Sequence, residues 1–129
     1  MKKNSMVLAV FVVLALSLGI FAVQSGQDLF QKALAKERAE GNLEEAITLY
    51  QKVIDESQDT ALKAQAQLRI GLCHEKLGQK NSKQAQDAFQ KVVDNFPTQS
   101  DEVRIAREKL SLLLKTQSAF RTKEKEFNV

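Results

Sequence analysis

A single cysteine, Cys73, leaves no room for an intramolecular disulfide or a multi-thiolate zinc site. His74 is the only histidine, so a multi-histidine metal centre is excluded too. There is no Trp, and one Tyr stands beside seven Phe, which offers little for the aromatic platforms on which single-stranded nucleic acid stacks. One Pro and five Gly do not make a collagen, a mucin-like stalk or a low-complexity linker. No Gly-rich phosphate loop, G-x-S-x-G or H-E-x-x-H occurs, and no acid, base and nucleophile converge in the pattern. The expectation is a protein that is not an enzyme and takes no cofactor and no metal.

Charge of one sign is also lacking once the chain is divided. The formal net charge is +3, from 19 Lys+Arg against 16 Asp+Glu. Residues 1–25 hold Lys2 and Lys3 and no acid, and the last fifteen residues carry a net +2. The body between them, residues 26–114, is −1. Without a basic field the counterion-release contribution to nucleic-acid affinity is missing, so nucleic acid is not an expected partner.

The longest apolar run is Met6–Val23, interrupted by Ser17 and Gly19 and preceded by Lys2 and Lys3. A positive flank, an apolar stretch and small residues near Ala22 and Ser25 form the layout of a Sec-type secretory signal. Cutting after Ser25 would put Val23 and Ser25 at the small-residue positions. An uncleaved anchor is the alternative, because eighteen residues fall near the lower limit of the ~17–25 that span a bilayer. Either reading places residues 26–129 outside the cytoplasm: periplasmic or secreted, or held at the inner membrane. Lipidation at a bacterial lipobox is excluded, since the only Cys is far downstream at 73.

Beyond residue 26 the apolar spacing is helical throughout. Leu43, Ala46, Ile47, Tyr50, Val53 and Ile54 draw one stripe, and Ala85, Ala88, Phe89, Val92, Val93 and Phe96 draw another. Asn42 with Glu45 reads as a capping box, and Asn81 with Gln84 repeats the arrangement. Ser100, ahead of Asp101 and Glu102, reads as the cap of a later helix, while Gly41, Gly78 and Pro97 supply the stops. The two stripes are offset by 39 residues and the two glycines by 37, a repeat whose second turn is two residues longer. Two helical hairpins are expected at about 27–57 and 61–97, then a helix at about 100–115 and a polar tail at 116–129.

These residues resemble the tetratricopeptide repeat family. The second unit carries its pattern at Ile70-Gly71, Gly78, Ala85, Phe89 and Pro97, and the first at Phe30, Gly41, Ala46 and Tyr50. Departures are Gln67 and His74 in the second unit, and Leu34 and Glu37 in the first. The run Leu68-x-Ile70-Gly71-x-Cys73-x-x-x-Leu77-Gly78 looks most like exported bacterial repeat proteins of the Tol–Pal-associated and outer-membrane assembly type. The resemblance implies an all-α fold of antiparallel helix-turn-helix repeats, about two in number. A capping helix would close the array over residues 26–115, and a signal or anchor would precede it at 1–25.

Cys73 and His74 are neighbours in sequence, but consecutive helix residues point about 100° apart and cannot form a hydrogen-bonded dyad. Cys73 reads as a small buried packing residue and His74 as a packing or hydrogen-bonding one. The acid pairs Glu44–Glu45 and Asp101–Glu102 sit in first turns of helices, where the helix dipole accounts for them. The resemblance implies a different kind of site, a groove lined by the first helices of successive repeats. It maps that groove onto Asp28, Gln31, Ala35 and Arg38, then Gln65, Leu68, Leu72 and Glu75, then Asp101, Arg104 and Glu108. With Leu68 and Leu72 at its centre, the expected ligand is a peptide or partner protein. Gln31 and Ala35 stand where a carboxylate clamp would have Lys and Asn, so the resemblance does not extend to acidic carboxy-termini. Two units fall short of the about three that a free-standing array needs, which points to self-association or docking onto a larger envelope protein. A membrane enters only through residues 6–23 if they are uncleaved. The competing reading is an anchored assembly or oligomerisation factor.

Overall fold

A computed structural model describes residues 26–128. Five helices follow one another: α1 over residues 26–40, α2 over Leu43–Glu56, α3 over Thr60–Leu77, α4 over Ser82–Asn95 and α5 over Ser100–Phe127. The last turn of α1, Lys36–Glu40, widens to a π turn, and Gln79–Asn81 forms a short 3₁₀ turn before α4. Each helix packs on the next in the chain, and α3 also touches α5. The segment 1–25, read as a signal or anchor, lies outside the described residues. Among the described residues no helix is long and apolar enough to cross a membrane.

Two apolar cores form, and α3 serves both. One joins Phe30 and Ala33 of α1 to Ala46, Tyr50 and Val53 of α2, and to Leu62, Ala66, Ile70 and Cys73 of α3. The other joins Leu68 of α3 to Ala85, Phe89 and Val92 of α4 and Val103 and Ala106 of α5. The stripes expected on α2 and α4 are the buried faces of those helices. A close approach explains Gly71: a Cβ there would lie 2.5 Å from Cε1 of Phe89. Gln67 is buried and its Nε2 donates to the carbonyl of Ala88 at 3.2 Å, so a polar side chain ties α3 to α4.

The helix stops are where they were expected. Gly41 and Gly78 have φ of +67° and +100°, and the amides of Gly41 and Asn42 close on Lys36 O. Helix α4 ends at Asn95, two residues before Pro97, as the restriction on a residue preceding proline requires. The caps agree less well. Asn42 Oδ1 accepts from the Glu45 amide at 3.2 Å while its Nδ2 donates to Glu45 Oε2 at 2.9 Å. Asn81 makes no such bond; with φ −102° and ψ 11° it leaves the 3₁₀ turn in a conformation that does not aim its side chain at the helix. Ser100 is the first residue of α5 and not its cap, since Gln99 precedes it in that role without a side-chain bond. An unforeseen cap is Asp59, which accepts from the amides of Ala61 and Leu62. Asn42→Ala is therefore expected to cost about 1 kcal/mol in chemical denaturation and Asn81→Ala less than about 0.5 kcal/mol. Equal costs would mean that the two ends are built alike.

The largest departure is at the carboxy-terminus. The sequence suggested a helix ending near 115 and a tail over 116–129, but α5 continues to Phe127. Nothing in 100–127 breaks a helix, as no Gly or Pro occurs there. The hydroxyls of Thr116, Ser118 and Thr122 donate back to carbonyls three or four residues earlier and so fit within the helix.

Candidate functional site

Between α1 and α3 lies a polar cluster built around Glu37, whose carboxylate is fully buried. Tyr50 Oη donates to Oε2 at 2.7 Å, and Lys76 Nζ and Arg69 Nη1 meet Oε1 at 2.6 and 3.4 Å. Burial alone would push this carboxyl up. The Lys76 and Tyr50 hydrogen bonds and the nearby Arg69 outweigh it, and the group titrates below the ordinary carboxylate range. Burial, then the Glu37 charge, pushes the Tyr50 hydroxyl well above its usual value. Phe30 meets the Tyr50 ring edge-on at a centroid distance of 5.5 Å. Sequence reasoning noted Glu37 only as a departure from the family's aromatic position. An acid where the pattern asks for an aromatic was the available signal that it is buried.

The outward ridge of α3 determines what a partner could meet. Gln65 and Lys76 are exposed, and Arg69 and Leu72 between them are half-buried. Positions 65, 69, 72 and 76 fall along one strip of a helix. The predicted strip was 65, 68, 72 and 75, and the structure corrects it. Leu68, at 8 % exposure, is a core residue of the α3–α4–α5 cluster and cannot anchor a ligand. Leu72 packs against the same cluster from its edge, and Glu75 is tied to Lys109 of α5 at 2.8 Å. On the neighbouring helices Gln31, Ala35 and Arg38 of α1 and Asp101, Arg104 and Glu108 of α5 are all exposed. Of the mapped residues these, the exposed Asp28 and Gln65 remain free for contact, joined by Arg69 and Lys76, which the sequence did not single out.

Cys73 and His74 do not form a reactive pair. Cys73 is fully buried in the first core, and burial pushes its thiol up to about 12. A thiol so far above neutrality supplies almost no thiolate. Burial lowers the His74 pKa, and among the described residues its Nδ1 atom has no hydrogen-bond partner. Iodoacetamide at pH 8 is expected to leave the native protein at its unmodified mass and to add one group only after denaturation. Rapid labelling of the native protein would place Cys73 at the surface.

Beyond the ridge, the distal part of α5 overhangs the α3–α4 turn. A cleft of about 750 Å³ opens there, with Leu113 and Phe120 on one wall and Lys80 and Lys83 on the other. Gln117 Nε2 donates to Ser82 Oγ at 3.3 Å across its inner end. Among the described residues no group of three or more His, Cys, Asp or Glu side chains is arranged to hold a metal ion.

A family model for the tetratricopeptide repeat matches residues 29–60 and again 65–98. The first match spans α1 and α2 and the second α3 and α4, so the sequence units coincide with the structural hairpins. No curated protein and no solved structure matches the chain.

Proposed function

Because the chain belongs to the tetratricopeptide repeat family, whose repeats generally mediate protein–protein interaction, we propose that it is a non-catalytic binding module of a bacterial cell envelope. The face made by α1, α3 and α5 is its contact surface. The observation that carries this reading is the ridge Gln65–Arg69–Leu72–Lys76, flanked by exposed Arg38 on α1 and Arg104 on α5. Its two inner cations are held by the buried Glu37, so they are ordered before a partner arrives, which lowers the entropy lost on binding. Mixed charge around Leu72 suits an extended or helical segment oriented by its polar groups.

Lysine crosslinking in intact producing cells tests this without altering the protein. Lys76 lies on the proposed face, and Lys52 and Lys91 are exposed on the outer helices α2 and α4. Crosslinks to a second protein are expected from Lys76 and not from Lys52 or Lys91. The reverse pattern would move the surface to the outer helices.

Export rests on the sequence of residues 1–25. The protein is expected in the periplasmic fraction with an intact mass that begins at Gly26. A membrane-bound chain that keeps residues 1–25 would favour the anchored assembly factor.

A further inference from the structure

Helix α5 carries an apolar seam that runs beyond the face just described. Val103, Ala106, Leu110, Leu113, Gln117, Phe120, Glu124 and Phe127 recur at alternating steps of three and four, the spacing of a coiled-coil seam. The first four pack against α3 and α4, and Gln117 is half-buried with its bond to Ser82. After that the seam runs out of protein. Phe120 is 54 % exposed and Phe127 95 % exposed. The cleft of about 750 Å³ lies where the seam leaves the core, between its distal residues and the α3–α4 turn.

Charge indicates what would fill it. Its rim carries Lys80, Lys83 and Arg121 against Glu75 and Glu124. Glu75 is already paired with Lys109, whereas Lys80 and Arg121 have no ion-pair partner among the described residues, and Lys83 reaches Asp87 only at 3.9 Å. The last fifteen residues, from Lys115 on, are net +2, so a second copy would set like charges against each other. Residues 1–25 hold two lysines and no acid, so that segment of the chain cannot neutralise the rim either. The geometry points to an acidic amphipathic helix from another protein, whose apolar side chains continue the seam over Leu113 and Phe120. Its carboxylates would meet Lys80, Lys83 and Arg121.

The test uses the full chain and two labelled synthetic helices with Leu at the seam positions, one flanked by Glu and one by Lys. Fluorescence anisotropy is expected to show the Glu peptide binding at least about tenfold more tightly than the Lys peptide, with the preference shrinking as salt rises. Phe120→Ala should weaken the Glu peptide several-fold, and Lys80→Glu with Arg121→Glu should reverse the preference. All three sites are exposed, so circular dichroism should be unchanged in these variants. Equal affinity for the two peptides, no binding of the Glu peptide, or indifference to Phe120→Ala would overturn the proposal. So would a dimer in sedimentation that Phe120→Ala dissolves, since that would assign the cleft to a second copy. Lys76, which tests the α1–α3–α5 face, does not itself line the cleft, and the peptide assay reads the cleft alone, so either surface can fail without the other.

Discussion

Gly71→Ala is expected to destabilise the protein by about 2–3 kcal/mol, although alanine is the better helix former. The added Cβ would lie 2.5, 2.6 and 2.9 Å from three atoms of the Phe89 ring. That ring is fully buried in the second core and has no open space to swing into. Helices α3 and α4 would have to move apart, and with three ring atoms inside 3.0 Å the overpacking lies at or just above the upper end of the usual about 1–3 kcal/mol. The gain in helix propensity, up to about 1 kcal/mol, offsets only part of it. In a domain of this size the midpoint of thermal unfolding should fall by about 10–20 °C. Phe89→Leu in the same chain should recover part of the loss by giving the methyl room. Gly41→Ala is the control: nothing lies within 4 Å of its Cβ, and the left-handed φ of +67° alone should cost about 1 kcal/mol. If Gly71→Ala matched or exceeded the parent in stability, the close approach of α3 and α4 would be wrong.

The second large effect is at Glu37. Glu37→Ala is expected to cost about 3 kcal/mol, from a cavity and from a Tyr50 hydroxyl left buried without its acceptor. Lys76, at 52 % exposure, can return to water, so the cost stays below that of stranding a deeply buried cation. Glu37→Leu combined with Tyr50→Phe removes both polar partners and should cost less than Glu37→Ala alone. The carboxyl is lowered from 4.5 in the folded protein, so the folded state binds fewer protons than the unfolded one. Its contribution is complete above about pH 4.5 and is lost as the pH falls through the folded value. Denaturant titrations between pH 3 and 6 should therefore show a shallower acid loss for Glu37→Gln than for the parent. Parallel curves would show that Glu37 is not the group responsible.

Particular residues explain how far the sequence could be read. Helices α2 and α4 bury one face each, so the spacing of Ala46, Tyr50 and Val53 and of Ala85, Phe89 and Val92 reported them directly. Helix α3 is buried on two sides, with Leu62, Ala66, Ile70 and Cys73 toward one core and Leu68 toward the other. Periodicity cannot choose one face of such a helix, and that is why the ridge was placed one residue off at 68 and 75. Phe120 and Phe127 looked isolated in a polar segment because the seam position before each of them is polar, Gln117 and Glu124. The burial of Glu37 was not legible because a charge is read as exposed until its partners are known, and these come from residues 50, 69 and 76.

On the reading proposed above, the α1–α3–α5 face takes a protein partner. A photoreactive residue placed at Gln65, exposed in the middle of that face, tests it most directly when compared with the same residue at Gln90, exposed on the outer helix α4. Irradiation of intact producing cells should give a discrete adduct of one added protein from position 65 and none from position 90. Adducts from position 90 alone, or an identical pattern from both, would contradict the assignment of this face.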